Sequence, residues 1–347
     1  MTTTQPLSPQ RDYFFDNAKI LLMILVVISH AIRPLNDSQQ ISNALYLLLF
    51  SFHMPLFLFI SGYFAKKAVA SKKWVQPLQK LLIPYLVFQV IYTFYYSFIS
   101  GDKLEFHLLQ PHWSLWFLLT LCSFYFIIHF FKFSPYFLIP AVLIGIFIGY
   151  TQAGAWLSIS RTLVFFPFFL AGYYLQRRHF QFLFHSWLKV PAGLVLVLCS
   201  IGLYVYSGDI PAELFYGSKS YEVMGFHGWE AGFFRLLAYT LTIVVSLAFL
   251  VLVPKEKLTI SKYAQNTLYV YLLHGFLFRY LRETSFYSAI DSGFELLLLI
   301  LGSVIFTFLL SSAIVKKMTQ PLIEPLDVIK KKRMRRLSQK NEPSKAS

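Results

Sequence analysis

The chain has little cysteine and little charge for its length. Cys122 and Cys199 are the only cysteines in 347 residues, and both fall in apolar stretches, so neither a disulfide framework nor a CxxC redox site is expected. Charged residues make up 14% of the chain, against about 25% in a soluble domain. HExxH, P-loop and GxSxG motifs are also missing. These absences argue against zinc hydrolases, nucleotide hydrolases and serine hydrolases of the common types.

Apolar residues dominate the composition instead. They account for 56% of the chain, aromatic residues for 19%, and the mean hydropathy is +0.57. The apolar runs are roughly 16 to 23 residues long, which is typical of membrane-spanning helices rather than of the strands of an outer-membrane barrel. We predict an all-α, polytopic integral membrane protein with about ten transmembrane helices, near residues 14–32, 44–64, 81–100, 113–131, 135–150, 156–175, 190–207, 231–253, 266–282 and 294–315.

The distribution of Lys and Arg predicts the orientation in the membrane. Placing both termini in the cytoplasm puts most basic residues on the inner side, as the positive-inside rule requires. The first span carries Asp16 and Lys19 and has no small-residue cleavage site, so it is not expected to be a removed signal peptide. We therefore predict a cytoplasmic N-terminal segment (1–13), a transmembrane domain (14–315) and a basic cytoplasmic tail (316–347).

The net charge of +15 is then mainly a consequence of topology. The tail sequence KKKRMRR beside a membrane favours contact with anionic lipid headgroups, and nucleic acid is not an expected partner. All six Trp residues fall at or near predicted helix ends, as interfacial anchors do. The sequence leaves the oligomeric state open.

The first span combines a lysine and a histidine on one stripe. Lys19 and His30 are eleven residues apart, about 20° past three full turns and roughly 16 Å along the helix axis. Asp16 falls on the same side. Ionisable groups inside a span are costly and commonly line a functional cavity. We interpret the stripe as a polar track into the membrane; alternatively Lys19 snorkels to the inner headgroups and His30 bonds a neighbouring helix.

Three further spans carry polar residues at membrane depth. His53, two residues before Pro55, and Ser61 lie in the second span, Arg161 begins the sixth, and His274 lies within the ninth. Three of them have a structural alternative: His53 as a bridge between helices, Ser61–Gly62 as a packing notch, and Arg161 as the partner of Asp209 or Glu213. No Cys/His spacing supports a metal site, so none is predicted.

Five strings along residues 11 to 315 also carry a family resemblance. RDYFFDNAKILLMILVVISHAI, FHMPLFLFISGYF, SLWFLLTL, RTLVFFPFFLAGYYL and NTLYVYLLHG occur in that order. Together with ten predicted spans, they resemble the acyltransferase 3 family of integral membrane acyltransferases, most closely its fucose 4-O-acetylase-like branch.

This resemblance implies transfer of an acyl group, usually acetyl from acetyl-CoA, to a hydroxyl of a carbohydrate, glycolipid or other cell-envelope acceptor. The family motif of a basic residue and a histidine falls on Lys19 and His30, which assigns the catalytic role to His30. The cytoplasmic RxxR pair of many members is replaced by Lys72, Lys73 and Lys80, the remaining basic residues for CoA phosphates. No bound cofactor is implied, because acyl-CoA is a co-substrate.

Two mechanisms and a second protein class remain open from the sequence. His30 could act as a general base on the acceptor hydroxyl or could carry the acyl group covalently. Asp16 and Lys19 would line the donor track with Lys80, whereas Arg161, His274, His53 and Ser61 are candidates for binding the acceptor or the oxyanion. The expected location is the inner (plasma) membrane of a bacterium. The alternative is a transporter or flippase of lipid-linked sugars, although no paired half-repeat supports it.

Overall fold

The protein is all-α, as predicted. The computed structural model describes residues 11–71, 74–101, 103–152 and 156–341, and within these ranges it contains helices, turns and loops but no β-strand. The α-helices of the described ranges are α1 (Tyr13–Ile32), α2 (Gln40–Ala70), α3 (Val75–Ser100), α4 (Trp116–Phe130), α5 (Leu138–Phe147), α6 (Ile159–Tyr174), α7 (Arg177–Phe180), α8 (Lys189–Val205), α9 (Glu213–Tyr216), α10 (Glu230–Leu252), α11 (Thr267–Arg282), α12 (Gly293–Leu310), α13 (Ala313–Ile323) and α14 (Pro325–Asn341).

Within the described residues, eight helices are long and apolar enough to cross a membrane. They are built around α1, α2, α3, α4, α6, α8, α10 and α12, some extended by a short 3₁₀ turn. Large apolar side chains project outward from the peripheral helices; Leu198 on α8 is 66% exposed and Ile305 on α12 is 68% exposed. Such faces are stable against lipid rather than water. The protein is therefore a multi-pass membrane protein.

The fifth and ninth predicted spans are present as shorter helices. α5 lies within the apolar helical stretch Pro135–Tyr150, and α11 has 16 residues. Sixteen residues cover about 24 Å, somewhat less than the roughly 30 Å hydrocarbon core. The total of ten spans remains a prediction.

The loops meet in two groups, one at each end of the helix bundle. At one end, Asn17 of α1 donates hydrogen bonds to the carbonyls of Pro254 and Glu256. At the other end, Asn43 of α2 donates to the Ser207 carbonyl. We call the end near Asn17 the inner side and the end near Asn43 the outer side, following the orientation that the Lys and Arg distribution predicts.

Two glycines bring α2 and α6 into backbone contact. A Cβ atom on Gly62 would lie 2.0 Å from the carbonyl oxygen of Phe169, and one on Gly172 would lie 1.9 Å from the carbonyl oxygen of Phe59. Neither position has room for a side chain. The Ser61–Gly62 pair thus has the packing role that the sequence left open, and α2 packs more extensively against α6 than against any other described helix.

The C-terminal segment is helical and lies at the inner side. The predicted tail begins within α13, and α14 follows it after a single residue, Glu324. Tyr269 of α11 donates a 2.6 Å hydrogen bond to the Glu324 carboxylate, and Lys80 of α3 pairs with Asp327 at 2.7 Å. These contacts tie the tail to the inner ends of α3 and α11.

Candidate active site

A cavity of about 390 Å³ lies at the outer ends of α1, α2, α4 and α6. We call it the histidine cavity because the His30 ring lines it. Three cationic side chains and one carboxylate are among its lining residues, so its walls carry a positive surplus at neutral pH. The lining comprises His30, Arg33, Tyr46, Phe50, Met54, Trp113, Ser114, Trp116, Arg161, Phe165, Glu213, Phe215, Tyr216, Ser218 and Lys219.

His30 stands in the last turn of α1. The helix is followed at once by the 3₁₀ turn Arg33–Leu35, whose Pro34 helps to end the α-helical hydrogen bonding there. The Nδ1 atom of His30 is buried and has no hydrogen-bond partner among the described residues. Since the ring nevertheless lines the cavity, Nε2 is the nitrogen available to a molecule inside it.

His274 of α11 lies beside His30, with 5.3 Å between the ring centroids. Its Nδ1 is 2.9 Å from the carbonyl oxygen of Val270. A carbonyl oxygen only accepts, so Nδ1 carries the proton and Nε2 of the neutral ring has a lone pair. This Nε2 is buried without a partner in the described residues. His274 therefore presents an acceptor towards its surroundings.

His53 is separated from His30 by the ring of Phe50. The Phe50 ring centroid lies 4.8 Å from that of His53 and 5.8 Å from that of His30. His53 does not line the histidine cavity. Ser61, two turns further along α2, donates a 2.8 Å hydrogen bond to the Phe57 carbonyl within its own helix. In the described ranges, no three His, Cys, Asp or Glu side chains are close enough to hold a metal ion.

Arg161 lies in the first turn of α6 and reaches the histidine cavity. Its guanidinium stacks over Trp116, 4.8 Å from the ring centroid, and Nε donates a 3.3 Å hydrogen bond to the Tyr216 carbonyl. Within the described residues it forms no ion pair with Asp209 or Glu213. The terminal amino groups are therefore free to meet a ligand. Burial raises the pKa of the Tyr216 hydroxyl, so this neighbour stays neutral.

Two residues of this site were not predicted from the sequence. Trp113 has a φ angle of 30°, in the left-handed region that bulky residues avoid. Its ring centroid lies 4.4 Å from that of His30 and 5.4 Å from that of His274. Arg282 covers the same indole and donates a 3.1 Å hydrogen bond to the His30 carbonyl. The sequence predicts Trp113 only as an interfacial anchor and indicates no role for Arg282.

Asp16 and Lys19 lie at the inner end of α1. Lys19 Nζ is 3.7 Å from the Asp16 carboxylate and sits over the Phe64 ring, and Arg11 also pairs with Asp16. Neither Asp16 nor Lys19 lines the histidine cavity. Met23 and Val26, which separate Lys19 from His30 on the same stripe, are buried apolar residues. The two ends of the predicted track are thus polar and its middle is apolar.

Lys80 is also at the inner side, where Asp327 engages it. Its side chain is 56% exposed, so its charge can still reach a ligand in solution. Lys72 and Lys73 lie outside the described residues. The predicted donor-side residues are accordingly remote from the predicted acceptor-side residues, and only His30 and Arg161 of the predicted set share the histidine cavity.

Fold and site together define a multi-pass helical membrane protein with a histidine in a basic cavity near one face. A family model described as an acyltransferase domain matches residues 12–316. The chain therefore belongs to this acyltransferase family, which confirms the resemblance and the predicted enzyme class. Membership of the fucose 4-O-acetylase-like branch stays a prediction.

Two curated proteins are similar to part of the chain. Nodulation protein NolL of Sinorhizobium fredii is 30% identical over 122 residues, which cover 30% of this chain and 33% of that protein. Nodulation protein NolL of Mesorhizobium japonicum is 32% identical over 124 residues, with the same shares. The chain thus matches about a third of the length of these relatives. No solved structure matches.

Proposed function

We propose that the protein moves an acyl group, acetyl in the simplest case, from acyl-CoA to a hydroxyl of a cell-envelope carbohydrate or glycolipid. The proposed location is the plasma membrane of a bacterium, in keeping with the bacterial relatives. One observation carries the proposal: the His30 ring, with one nitrogen free, lines a cavity that also holds the Arg161 guanidinium. A base can take the proton of the attacking hydroxyl, and a cation can stabilise the negative charge that develops on the thioester oxygen.

His30 acts as the general base in this proposal. The acceptor hydroxyl gives its proton to Nε2 while its oxygen attacks the thioester carbonyl carbon. The C–S bond then breaks, and the departing thiolate takes the proton from the imidazolium. The products are the acyl ester and the CoA thiol. Proton transfer by a positioned base contributes about 10²- to 10⁴-fold to the rate.

His274 holds His30 in the correct tautomer. If Nε2 of His30 is the base, its Nδ1 carries a hydrogen that needs an acceptor. Nε2 of His274 is such an acceptor, and both atoms are buried without a partner in the described residues. One water molecule or a small ring rotation would join them across the 5.3 Å between centroids. This assigns His274 a positioning role rather than the oxyanion-stabilising role considered above.

Arg161 stabilises the oxygen that becomes negative in the tetrahedral intermediate. Its stacking on Trp116 fixes the plane of the guanidinium, and its side chain lines the cavity. A hydrogen-bond donor that is already positioned stabilises the transition state more than one that must first reorganise. His53 and Ser61 have no part in this step.

The donor approaches from the inner side, where acyl-CoA is made. Lys19 and Lys80, with Asp16 holding Lys19 in place, are proposed to bind its charged portion. The thioester must then pass Met23 and Val26 to reach His30, over roughly 16 Å of α1. Because Met23 and Val26 are buried between helices, α1 must move away from a neighbouring helix when the donor binds.

The test uses the full chain reconstituted in vesicles with radiolabelled acetyl-CoA on the inner side and envelope glycan on the outer side. We expect acid-stable, alkali-labile label on the glycan, and a loss of at least 10²-fold in His30→Ala at equal protein abundance. His107→Ala, which alters an exposed outer histidine, is the control. Movement of unlabelled glycan across the vesicle membrane without ester formation would instead establish the transporter alternative. Direct transfer requires a ternary complex, and a covalent acyl-histidine gives ping-pong kinetics.

A further inference from the structure

A second cavity adjoins the histidine cavity on the outer side. It encloses about 640 Å³ between the loop after α1, the first turn of α2 and the segment before α9. Arg33, Glu213 and Tyr216 line both cavities. We call this second cavity the outer vestibule. A molecule in the vestibule therefore lies directly next to one that touches His30.

Three amide side chains of the vestibule each donate one hydrogen bond to a loop carbonyl. Asn43 donates to the Ser207 carbonyl at 2.8 Å, Gln40 to the Tyr204 carbonyl at 3.0 Å, and Gln39 to the Ile290 carbonyl at 2.7 Å. Each bond fixes the amide, whose oxygen remains an acceptor and whose second N–H remains a donor. These three side chains therefore offer both acceptors and donors, and a sugar hydroxyl can pair with either.

The charges of the vestibule also favour an uncharged ligand. Asp37 and Glu213 are carboxylates, which only accept hydrogen bonds, whereas Arg33 is the one cation among the described lining residues. A phosphate, sulfate or uronate would face two carboxylates and several amide oxygens. A neutral polyol, whose hydroxyls donate, satisfies these acceptors without like-charge repulsion.

We propose that the outer vestibule binds uncharged sugar units next to the unit that is acylated, so that the acceptor is a neutral glycan of at least two units. This inference rests on the proposed function and adds the substrate class. Cavities of about 300–1,000 Å³ hold drug-sized ligands, and 640 Å³ is ample for a disaccharide. The two cavities differ in charge: three cations and one carboxylate line the histidine cavity, whereas one cation and two carboxylates line the vestibule.

To test this, envelope glycan from cells that contain the protein is partially hydrolysed, and the fragments are separated by size and by anion exchange. Each fraction is offered with radiolabelled acetyl-CoA to the purified full chain. We expect kcat/KM for neutral fragments of two or more units to exceed that for single units at least tenfold, mainly through KM. Equal kcat/KM for single units, or a preference for anionic fragments, would overturn the inference while leaving acyl transfer intact. No label in any fraction would count against the proposed function itself.

A second test compares a charge reversal at Asp37 with the same change at an outer acidic residue that does not line the vestibule. Asp37 is exposed and is not engaged by an ion pair in the described residues, so Asp37→Lys should fold. We expect it to reduce the ratio of kcat/KM for long over single-unit acceptors at least fivefold. Glu105→Lys, at an exposed position on the outer loop after α3 that lines neither cavity, should leave that ratio unchanged. An unchanged ratio in both variants would show that glycan does not lie against Asp37.

Discussion

His30 of the first span and His274 of α11 are neighbours, with 5.3 Å between their ring centroids. The Nδ1 atom of His274 is committed to the Val270 carbonyl, which leaves Nε2 as an acceptor. The Nδ1 atom of His30 and this Nε2 are both buried without a partner among the described residues. Two unsatisfied buried polar atoms are costly unless they serve each other or a water molecule between them.

Substitution of His274 tests this relationship directly. We expect His274→Leu to lower kcat by about 10- to 100-fold, the range seen for groups that orient ligating histidines, with little change in either KM. His274→Gln keeps an acceptor oxygen and should recover part of the rate. The measurement is acetyl transfer at several pH values, since loss of the tautomer bias alters the pH profile of kcat. Equal losses in both variants would argue that the residue has only a packing role.

Removal of the Arg161 charge should act on the chemical step. We expect Arg161→Gln to lower kcat by about 10²- to 10³-fold, as for other groups that stabilise an oxyanion, with a smaller effect on the acceptor KM. Arg178→Gln, at an exposed inner position, is the charge-matched control. A change confined to the acceptor KM would reassign Arg161 to acceptor binding.

Lys19 should affect donor use more than acceptor use. We expect Lys19→Ala to raise the KM for acetyl-CoA several-fold, because it removes an inner-side cation while His30 is untouched. The ion pair with Asp16 is partly exposed, so its loss should cost only about 0–1 kcal/mol of stability. Initial rates at varied acetyl-CoA and fixed glycan provide the measurement. An effect on the acceptor KM alone would contradict a donor-side role.

The contact between α2 and α6 predicts a strong effect on stability. Gly62→Ala places a Cβ atom against the Phe169 carbonyl, so the helices must separate. We expect a loss of about 1–3 kcal/mol or more, visible as lower membrane abundance and a lower melting temperature in detergent. Gly302→Ala on α12 meets no atom within 4 Å and should be neutral. Similar melting temperatures for the two variants would disprove the close packing of α2 on α6.

The fold could be predicted because apolar runs report spans directly. The first and ninth predicted spans, 14–32 and 266–282, nearly coincide with α1 and α11. The second predicted span, 44–64, lies within a longer helix, α2 (Gln40–Ala70), because a helix can continue beyond the membrane where hydropathy no longer detects it. α13 and α14 were missed for the same reason.

The site could be predicted only where a polar residue is conspicuous within an apolar run. His30 and Arg161 are such residues, and both line the histidine cavity. Trp113 and Arg282 are ordinary at helix ends, and only tertiary packing brings them to His30. The sequence shows that the middle of the Lys19–His30 stripe is apolar. It does not show that Met23 and Val26 are buried in the fold. Contacts between residues far apart in the chain leave no trace in local spacing.

The reciprocal glycines of α2 and α6 also determine where the bundle can open. Two helices in backbone contact are expected to move as one body, so a gap between them is not expected. Under the proposed function, the donor would then enter beside α1, either where α1 packs on α2 or where it packs on α11 and α12. Because His274 lies on α11, opening on the second side would displace the ring that is proposed to orient His30, and proton transfer would have to wait until the helices had closed again.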